Sequence, residues 1–448
     1  MMQPDYWLLI ILVLSIAMIV AGTSRFKIHP FLVLIAASYF TGLSAGMPVG
    51  RISEVISSGF GSLMAGIGLV IVFGTLIGTV LEKSGAAIQL AEWVIRIIGP
   101  RYPALAMSII GYIVSIPVFC DSAFIILTTL KKNLALKTGK SPIVLSIALA
   151  TGLYATHTFV PPTPGPIAAA GNLGLNDHLG TVIGFGLVVG LTAMLAGYFW
   201  SLRQSRQIEQ VMHQESESSS TYIGKLPSTF KAILPILIPI VLIALRSFGS
   251  MPFKPFGEGY LYSIFDFVGS PLNALVAGFL FSLLLFPKFD KDTLSGWVGE
   301  SIVLAAPILL ITGAGGSFGA ILKETRIGDI LGEALAQYEL GIFLPFIIAA
   351  IFKSAQGSST VSLVATSALI APLLPSLGLD SVTGATLAVM ATGAGAMTVS
   401  HANDSYFWVV TQFSGMDVTT GYKTHTMATL IQGITAMITV WILSIIFI

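Results

Sequence analysis

The 448-residue chain carries 22 Lys and Arg against 21 Asp and Glu, about a tenth of its length, while apolar and aromatic types make up 54%. Soluble domains hold about 25% charged residues, and a chain this long with so few cannot clothe a globular surface in water. It is predicted to be an all-α polytopic membrane protein, which excludes a soluble enzyme, a disordered scaffold and, with no basic tract, a nucleic-acid binder. The net charge of +1 says nothing about partners, and the lone Cys120 excludes an internal disulfide framework.

Met1–Trp7 carries no Lys or Arg and contains Asp5, so the first apolar run reads as a retained span and not as a secretory leader. Apolar segments able to span or enter a bilayer follow at 5–22, 29–47, 60–82, 103–130, 142–157, 166–175 and 178–201. After a polar cytoplasmic linker at 202–228 they resume at 229–249, 260–287, 297–322, 341–353, 358–374, 382–400, 405–413 and 425–448. Amphipathic stretches at 84–98 and 325–338 are expected to lie along the membrane interface. The 46 Gly and 22 Pro exceed what simple spans require and point to broken helices, which in membranes line cavities or sites.

The two halves, 1–201 and 229–448, repeat the same order of features. A shift of 241 residues lays Ala150-Thr151-Gly152 on Ala391-Thr392-Gly393, Gly74 on Gly315 and Gly78 on Gly319, just before the charged pairs Glu82-Lys83 and Lys323-Glu324. This is the internal-repeat signature of a secondary transporter. Lys and Arg then set the topology. Four Lys in 131–140 belong on the cytoplasmic side together with Arg25 and Lys27, which requires 103–130 to enter and leave by one face, breaking at Ser115–Pro117. Each arm of about 13 residues reaches about 20 Å, enough for the midplane. The same rule gives a second hairpin at 341–374, entering from outside, and broken helices at about 142–175 and 382–413. This arrangement puts 16 Lys and Arg inside and five outside, leaves Lys353 within the second hairpin, and makes the repeats inverted.

Four breaks should converge at the midplane: Pro117–Ser122, Ala155–Pro166, Lys353–Thr360 and Ser400–Ser405. At each, the first N–H groups of the next half-helix lack intrahelical partners and favour an anion. Ser122, Thr156, His157, Thr158, Thr163, Lys353, Gln356, Ser358, Ser359, Thr360 and Asn403 are the candidate substrate-binding residues, suited to a carboxylate or a polyol. Asp121, Asp404 and His401 are the candidates for proton coupling, because ionisable groups in apolar segments are costly to bury unpaired. The spacing of His157, His401 and Asp404 matches no metal-ligand motif, so neither a metal nor a cofactor is expected. Gly42–Gly46 and Gly315–Gly319 match Gly-x-Ser-x-Gly in letters alone, since both lie in apolar membrane segments and not at the strand-to-helix elbow such a nucleophile needs, and HExxH is absent, so no enzyme is expected. Cys120 reads as a small packing residue.

The chain resembles the gluconate permease (gluconate:proton symporter) family, which includes D-serine and other sugar-acid permeases. The resemblance rests on HPFLVLIAAS after the first span, Phe119-Cys120-Asp121-Ser122, THTFVPPTPGP at 156–166, ITGAGGSFGAIL at 311–322, GSSTV at 357–361 and SHANDSYFW at 400–408. It implies a proton-coupled importer of gluconate or a similar small sugar acid in a bacterial inner membrane. It also implies the ion-transporter superfamily fold, with two hairpins in inverted repeats, a homodimer and elevator-type motion. The alternatives are a sodium-coupled carboxylate carrier or a D-serine or glycerate permease of the same family. Two positions depart from the family pattern. Thr163 stands where the proline motif usually has His, and Asp121 stands where many gluconate members have Glu. The SHAND form at 400–404 leans toward hydroxy acids.

Overall fold

The computed structural model describes residues 4–99, 101–204, 226–249, 259–325, 341–401 and 404–448, and these contain helices and no strand. Unbroken apolar runs make helices the only spanning solution, since hydrocarbon offers no partner to a free backbone N–H or C=O. Helix α1 spans Pro4–Ser24, α2 Pro30–Ser44, and α3 Val49–Lys83 with a π-helical turn at Met64–Gly68. The segment expected at 60–82 thus begins eleven residues earlier, because Val49–Ser58 continues the helix without a breaker and buries Ile52, Val55 and Ile56. Helix α4, Ala86–Ile98, buries Ala86, Ala87, Leu90, Ala91 and Val94 along one stripe.

Helices α5 (Pro103–Val114) and α6 (Cys120–Thr138) form a hairpin around Ser115–Phe119, where the Ser115 hydroxyl donates to the Val118 carbonyl at 2.9 Å. Helices α7 (Pro142–Phe159) and α8 (Pro164–Asn172) are separated by Val160–Thr163, because Pro161, Pro162 and Pro164 cannot supply helical N–H groups. Helix α9 spans Leu179–Arg203. In the second half α10 spans Thr229–Gly249. The segment expected as one span at 260–287 is instead two helices, α11 (Tyr260–Val268) and α12 (Pro271–Ser282), bent by 68° where Gly269, Ser270 and Pro271 interrupt the run. Helix α13 runs Asp292–Glu324.

Helices α14 (Phe343–Gln356) and α15 (Ser359–Ile370) form the second hairpin. Gly357 turns it at φ 87°, a left-handed value that only glycine adopts freely, and the Ser358 side chain accepts the Val361 N–H to start α15. Helix α16 (Val382–Met397) is followed by an irregular stretch and α17 (Ser405–Phe413), and α18 (Val418–Phe447) closes the chain with a π-helical turn at Tyr422–Thr426. Most of the linker at 202–228 and all but the first residue of the amphipathic stretch at 325–338 lie outside the described residues.

The broken helices occupy the centre. Every residue from Ile143 to Phe159 in α7 and from Gly384 to Met397 in α16 is buried. Surrounded by protein rather than lipid, their interruptions meet polar partners. Gln432 of α18 donates to the carbonyls of Thr151 at 2.9 Å and Ala193 at 3.1 Å, tying α7, α9 and α18 together. A frame containing α2, α3 and α13 lies against this core. There Gly78 meets the Pro117 carbonyl and Gly315 faces Val364, approaches where an added Cβ would clash, while Gly319 lies close against the Ala368 carbonyl.

Candidate functional site

The last turn of α14 carries Lys353, fully buried, and the residue before α17 is Asp404, which is 4% exposed. Their side chains meet, Nζ to Oδ2, at 2.6 Å. Lys353 also donates to the Gly357 carbonyl at the hairpin turn, where a cation suits the negative end of α14. Asp404 Oδ1 caps α17 by accepting the Tyr406 N–H at 3.1 Å, and its Oδ2 accepts the Ser400 hydroxyl at 2.5 Å. One carboxylate therefore fixes a lysine, a serine and a helix start. A pair this well satisfied survives burial; either partner alone would not.

Helix α7 supplies the wall. The Tyr154 ring lies 5.5 Å from Lys353 Nζ and stacks on His157, one turn away, with centroids 6.4 Å apart. Tyr154 also hydrogen-bonds Ser359 at the start of α15. Tyr406 packs 5.1 Å from Tyr154 and donates to the Ala150 carbonyl at 2.9 Å. From the first hairpin, Phe119 packs on His157 at 6.1 Å, and Asp121 lies close enough to interact with both Asp404 and Lys353. His401 bridges the second hairpin and the second break, its Nε2 3.1 Å from the Ser354 carbonyl.

Buried polar atoms of these elements without a partner among the described residues include Asp121 Oδ1, Thr156 Oγ1 and His157 Nδ1. An unmet buried acceptor or hydroxyl costs roughly 1–3 kcal/mol, a cost that any polar group brought to it would relieve. The residues expected from sequence divide accordingly. Asp121, His157, Lys353, Ser359, His401 and Asp404 come together, and Thr156 is buried next to His157 in α7. Ser122 instead turns to Glu82 of α3, Thr158 donates to the Tyr154 carbonyl of its own helix at 3.0 Å, and Thr163 donates to the Val160 carbonyl at 2.6 Å in a crevice against Gly74 and Pro117. Ser358 is used as a helix cap, and Thr360 lies beside Gly165 of α8. Asn403 and the Gln356 side chain lie outside the described residues.

Sequence reasoning missed Tyr154, Ser400, Tyr406 and His425. Tyr154 stands three residues before His157, a spacing that places both on one helix face. His425 is an ionisable residue in an apolar run like the others, but it opens the segment 425–448 and so reads as that segment's edge.

A separate cavity of about 1310 Å³ opens between α3 and α13, bordered by Arg51, Glu54, Lys323 and Glu324 and floored by Asn172 and Ala371 at the far ends of α8 and α15. Arg51 pairs with Glu54 at 2.9 Å and with Glu324 at 3.3 Å across its mouth. Helix α15 thus runs from the buried cluster at Ser359 to the cavity at Ala368, about 14 Å at 1.5 Å per residue.

Residues 7–446 match the model of the GntP family permease. A gluconate permease of Pseudomonas aeruginosa is 32% identical over 99% of both chains. The D-serine transporter DsdX of Escherichia coli K12 is also 32% identical, over 99% of both chains. Among solved structures, the YdaH transporter of Alcanivorax borkumensis superposes with a TM-score of 0.64 at 14% identity, covering 88% of each chain. MtrF of Neisseria gonorrhoeae superposes with a TM-score of 0.67 at 15% identity, covering 94% of this chain and 96% of its own. These two likenesses concern the fold alone. The chain therefore belongs to the GntP permease family: it is a multi-pass membrane transporter and not an enzyme.

Proposed function

We propose that this chain imports gluconate or a similar small sugar acid by proton symport across a bacterial inner membrane, as a homodimer of inverted-repeat protomers. The observation that carries the reading is the buried Lys353–Asp404 pair. With the site empty, the two charges cancel. Protonation of Asp404 removes its hold on Lys353, and the ammonium is then free to take the substrate carboxylate. The loaded site is again neutral: one lysine cation, one substrate anion and one neutral acid. A half-loaded site would carry a net buried charge, which costs several kcal/mol at the least. Only the empty and fully loaded carriers cross readily, and that restriction is symport. Substrate hydroxyls would use Thr156 Oγ1, His157 Nδ1 and Asp121 Oδ1.

The motion proposed is of elevator type, with two sets of glycine contacts in its support. Gly74 and Gly78 of the first half abut Pro162 and Pro117, at the break and the hairpin tip. Their counterparts at the shift of 241, Gly315 and Gly319, abut Val364 and Ala368, well past the tip at Ser358. Exchanging the two registers slides the core by ten residues of α15, about 15 Å.

The test is uptake of labelled gluconate into proteoliposomes under an inward proton gradient, with choline replacing sodium. Accumulation abolished by a protonophore is expected; uptake that needs sodium or ignores the protonophore refutes the reading. A D-serine-type substrate is favoured by one observation, the unpartnered Asp121 oxygen, which would hold an ammonium while Lys353 holds the carboxylate. Unlabelled D-serine added to the same assay separates the two substrates.

A further inference from the structure

The last helix reaches the Lys353–Asp404 pair through a histidine. His425 sits in the π-helical turn Tyr422–Thr426 and is fully buried. Such turns interrupt the regular ladder and recur at functional sites. Its Nε2 lies 3.2 Å from Ser400 Oγ, which in turn donates to Asp404 Oδ2 at 2.5 Å. Because Ser400 spends its proton on the carboxylate, its oxygen must accept from His425 Nε2–H, an assignment made from the network. That leaves Nδ1 as the bare nitrogen, and it is buried with no partner among the described residues. The same turn and the helix beyond clamp Ser400 itself. Thr426 donates to its carbonyl at 2.6 Å, and Thr429 accepts its N–H at 2.9 Å. Lys423, exposed, stands two residues before the histidine, on the side the charge distribution makes cytoplasmic.

We propose that His425 relays protons between the cytoplasmic side and Asp404 by way of Ser400. Inward delivery of the coupled proton runs from Asp404. With Asp404 protonated the imidazole takes the other tautomer, Nδ1–H with Nε2 bare. The carboxylic acid then returns its proton to Ser400 Oγ, Ser400 passes its own to His425 Nε2, and Nδ1–H releases one to water. This leaves the Nε2–H form assigned above, and the imidazole exchanges tautomer again before the next cycle. Three bonds to hydrogen break and three form, and no other co-reactant takes part. Asp404, again an anion, reclaims Lys353 and expels the substrate carboxylate. Few groups surround the imidazole. Asp404 of the break and Lys353 of α14 are the charges that act on it, Tyr406 and Phe407 of α17 pack their rings at 5.4 and 6.3 Å, and Ser400 makes the hydrogen bond.

This inference rests on the proton-symport reading, and the experiment separates the two. His425→Gln keeps an N–H in place of Nε2–H and cannot titrate; Ser400→Ala cuts the relay at its middle. In proteoliposomes, proton-driven gluconate uptake should fall at least about tenfold in both variants, and its rise with the imposed pH difference should flatten. Exchange of labelled for unlabelled substrate, which needs no net proton movement, should fall by a clearly smaller factor than net uptake in the same variant. Either variant with the wild-type pH profile overturns the relay. So does loss of exchange in both, which would make the pair structural. If the wild-type protein takes up gluconate without regard to the proton gradient, the symport reading fails first, and the relay falls with it.

Discussion

Replacing Lys353 with Met, Asp404 with Asn, and both together forms a thermodynamic cycle on the proposed switch. At 2.6 Å and an effective dielectric constant of about 20, the two charges attract by about 6 kcal/mol. Desolvation cancels much of this, so the intact pair adds little net stability. Breaking it is another matter, because each single variant leaves one buried charge without its partner, at a cost of roughly 3–5 kcal/mol. Removing both charges should return the protein to within about 1 kcal/mol of wild type. The expected interaction energy is then about 5 kcal/mol or more, measured by denaturant titration of purified protein in mixed micelles. Transport should not follow stability. The double variant should fold and still neither bind nor carry gluconate, since the cation for its carboxylate is gone. Additive destabilisation, with an interaction under about 1 kcal/mol, would refute the account of the pair. Gluconate transport by the stable double variant would refute its role.

Other perturbations address separate parts of the argument. Gly315→Leu drives a side chain into Val364, since even a Cβ at this position would stand 2.6 Å from that valine, so the variant should bind gluconate in a thermal-shift assay and yet transport at under a tenth of the wild-type rate; normal rates would remove the support for sliding at this contact. Asp121→Asn should leave gluconate uptake able to proceed but weaken inhibition by D-serine by about tenfold or more, since a charged hydrogen bond is worth roughly 1.5–3 kcal/mol; unchanged inhibition would take Asp121 out of ammonium recognition. Asp417 caps α18, and hydrogen bonds from the Thr420 side chain and backbone hold its carboxyl below the usual carboxylate range. A depressed acid contributes stability above its unfolded pKa and loses it as pH falls through the folded value. Asp417→Ala should therefore melt below wild type at pH 7, with the gap closing below about pH 4, and a gap independent of pH would contradict this.

Much of the membrane architecture is legible in the sequence because hydrocarbon is an exacting solvent. It forces each apolar run into a helix, so the runs at 5–22, 29–47 and 178–201 found their helices within a few residues. The proline cluster at 161–166 breaks the chain wherever it lies, since missing N–H groups are a local property. The bend in 260–287 and the early start of α3 were less legible. Gly269-Ser270 is a weak breaker whose angle depends on what packs around it, and the polar face of Val49–Ser58 hides a buried stripe.

The site divides along the same line. Scarcity of charge alone singled out Asp121, Lys353 and Asp404, because an ionisable group in an apolar run needs a reason to be there. Which of them pair is a tertiary matter. Lys353 and Asp404 are 51 residues apart, and only the approach of the second hairpin to the second break brings them to 2.6 Å. The same packing satisfies Thr158, Thr163 and Ser122 elsewhere, leaves Asp121, Thr156 and His157 with unmet atoms, and carries His425 from the edge of the last helix to the Ser400 hydroxyl. Composition and periodicity act over a few residues, and so they determined the solvent, the helices and the rare charges. Hydrogen bonds between distant residues depend on how the helices pack, and only the tertiary structure decided which charges are paired and which buried atoms of the described residues are left without a partner.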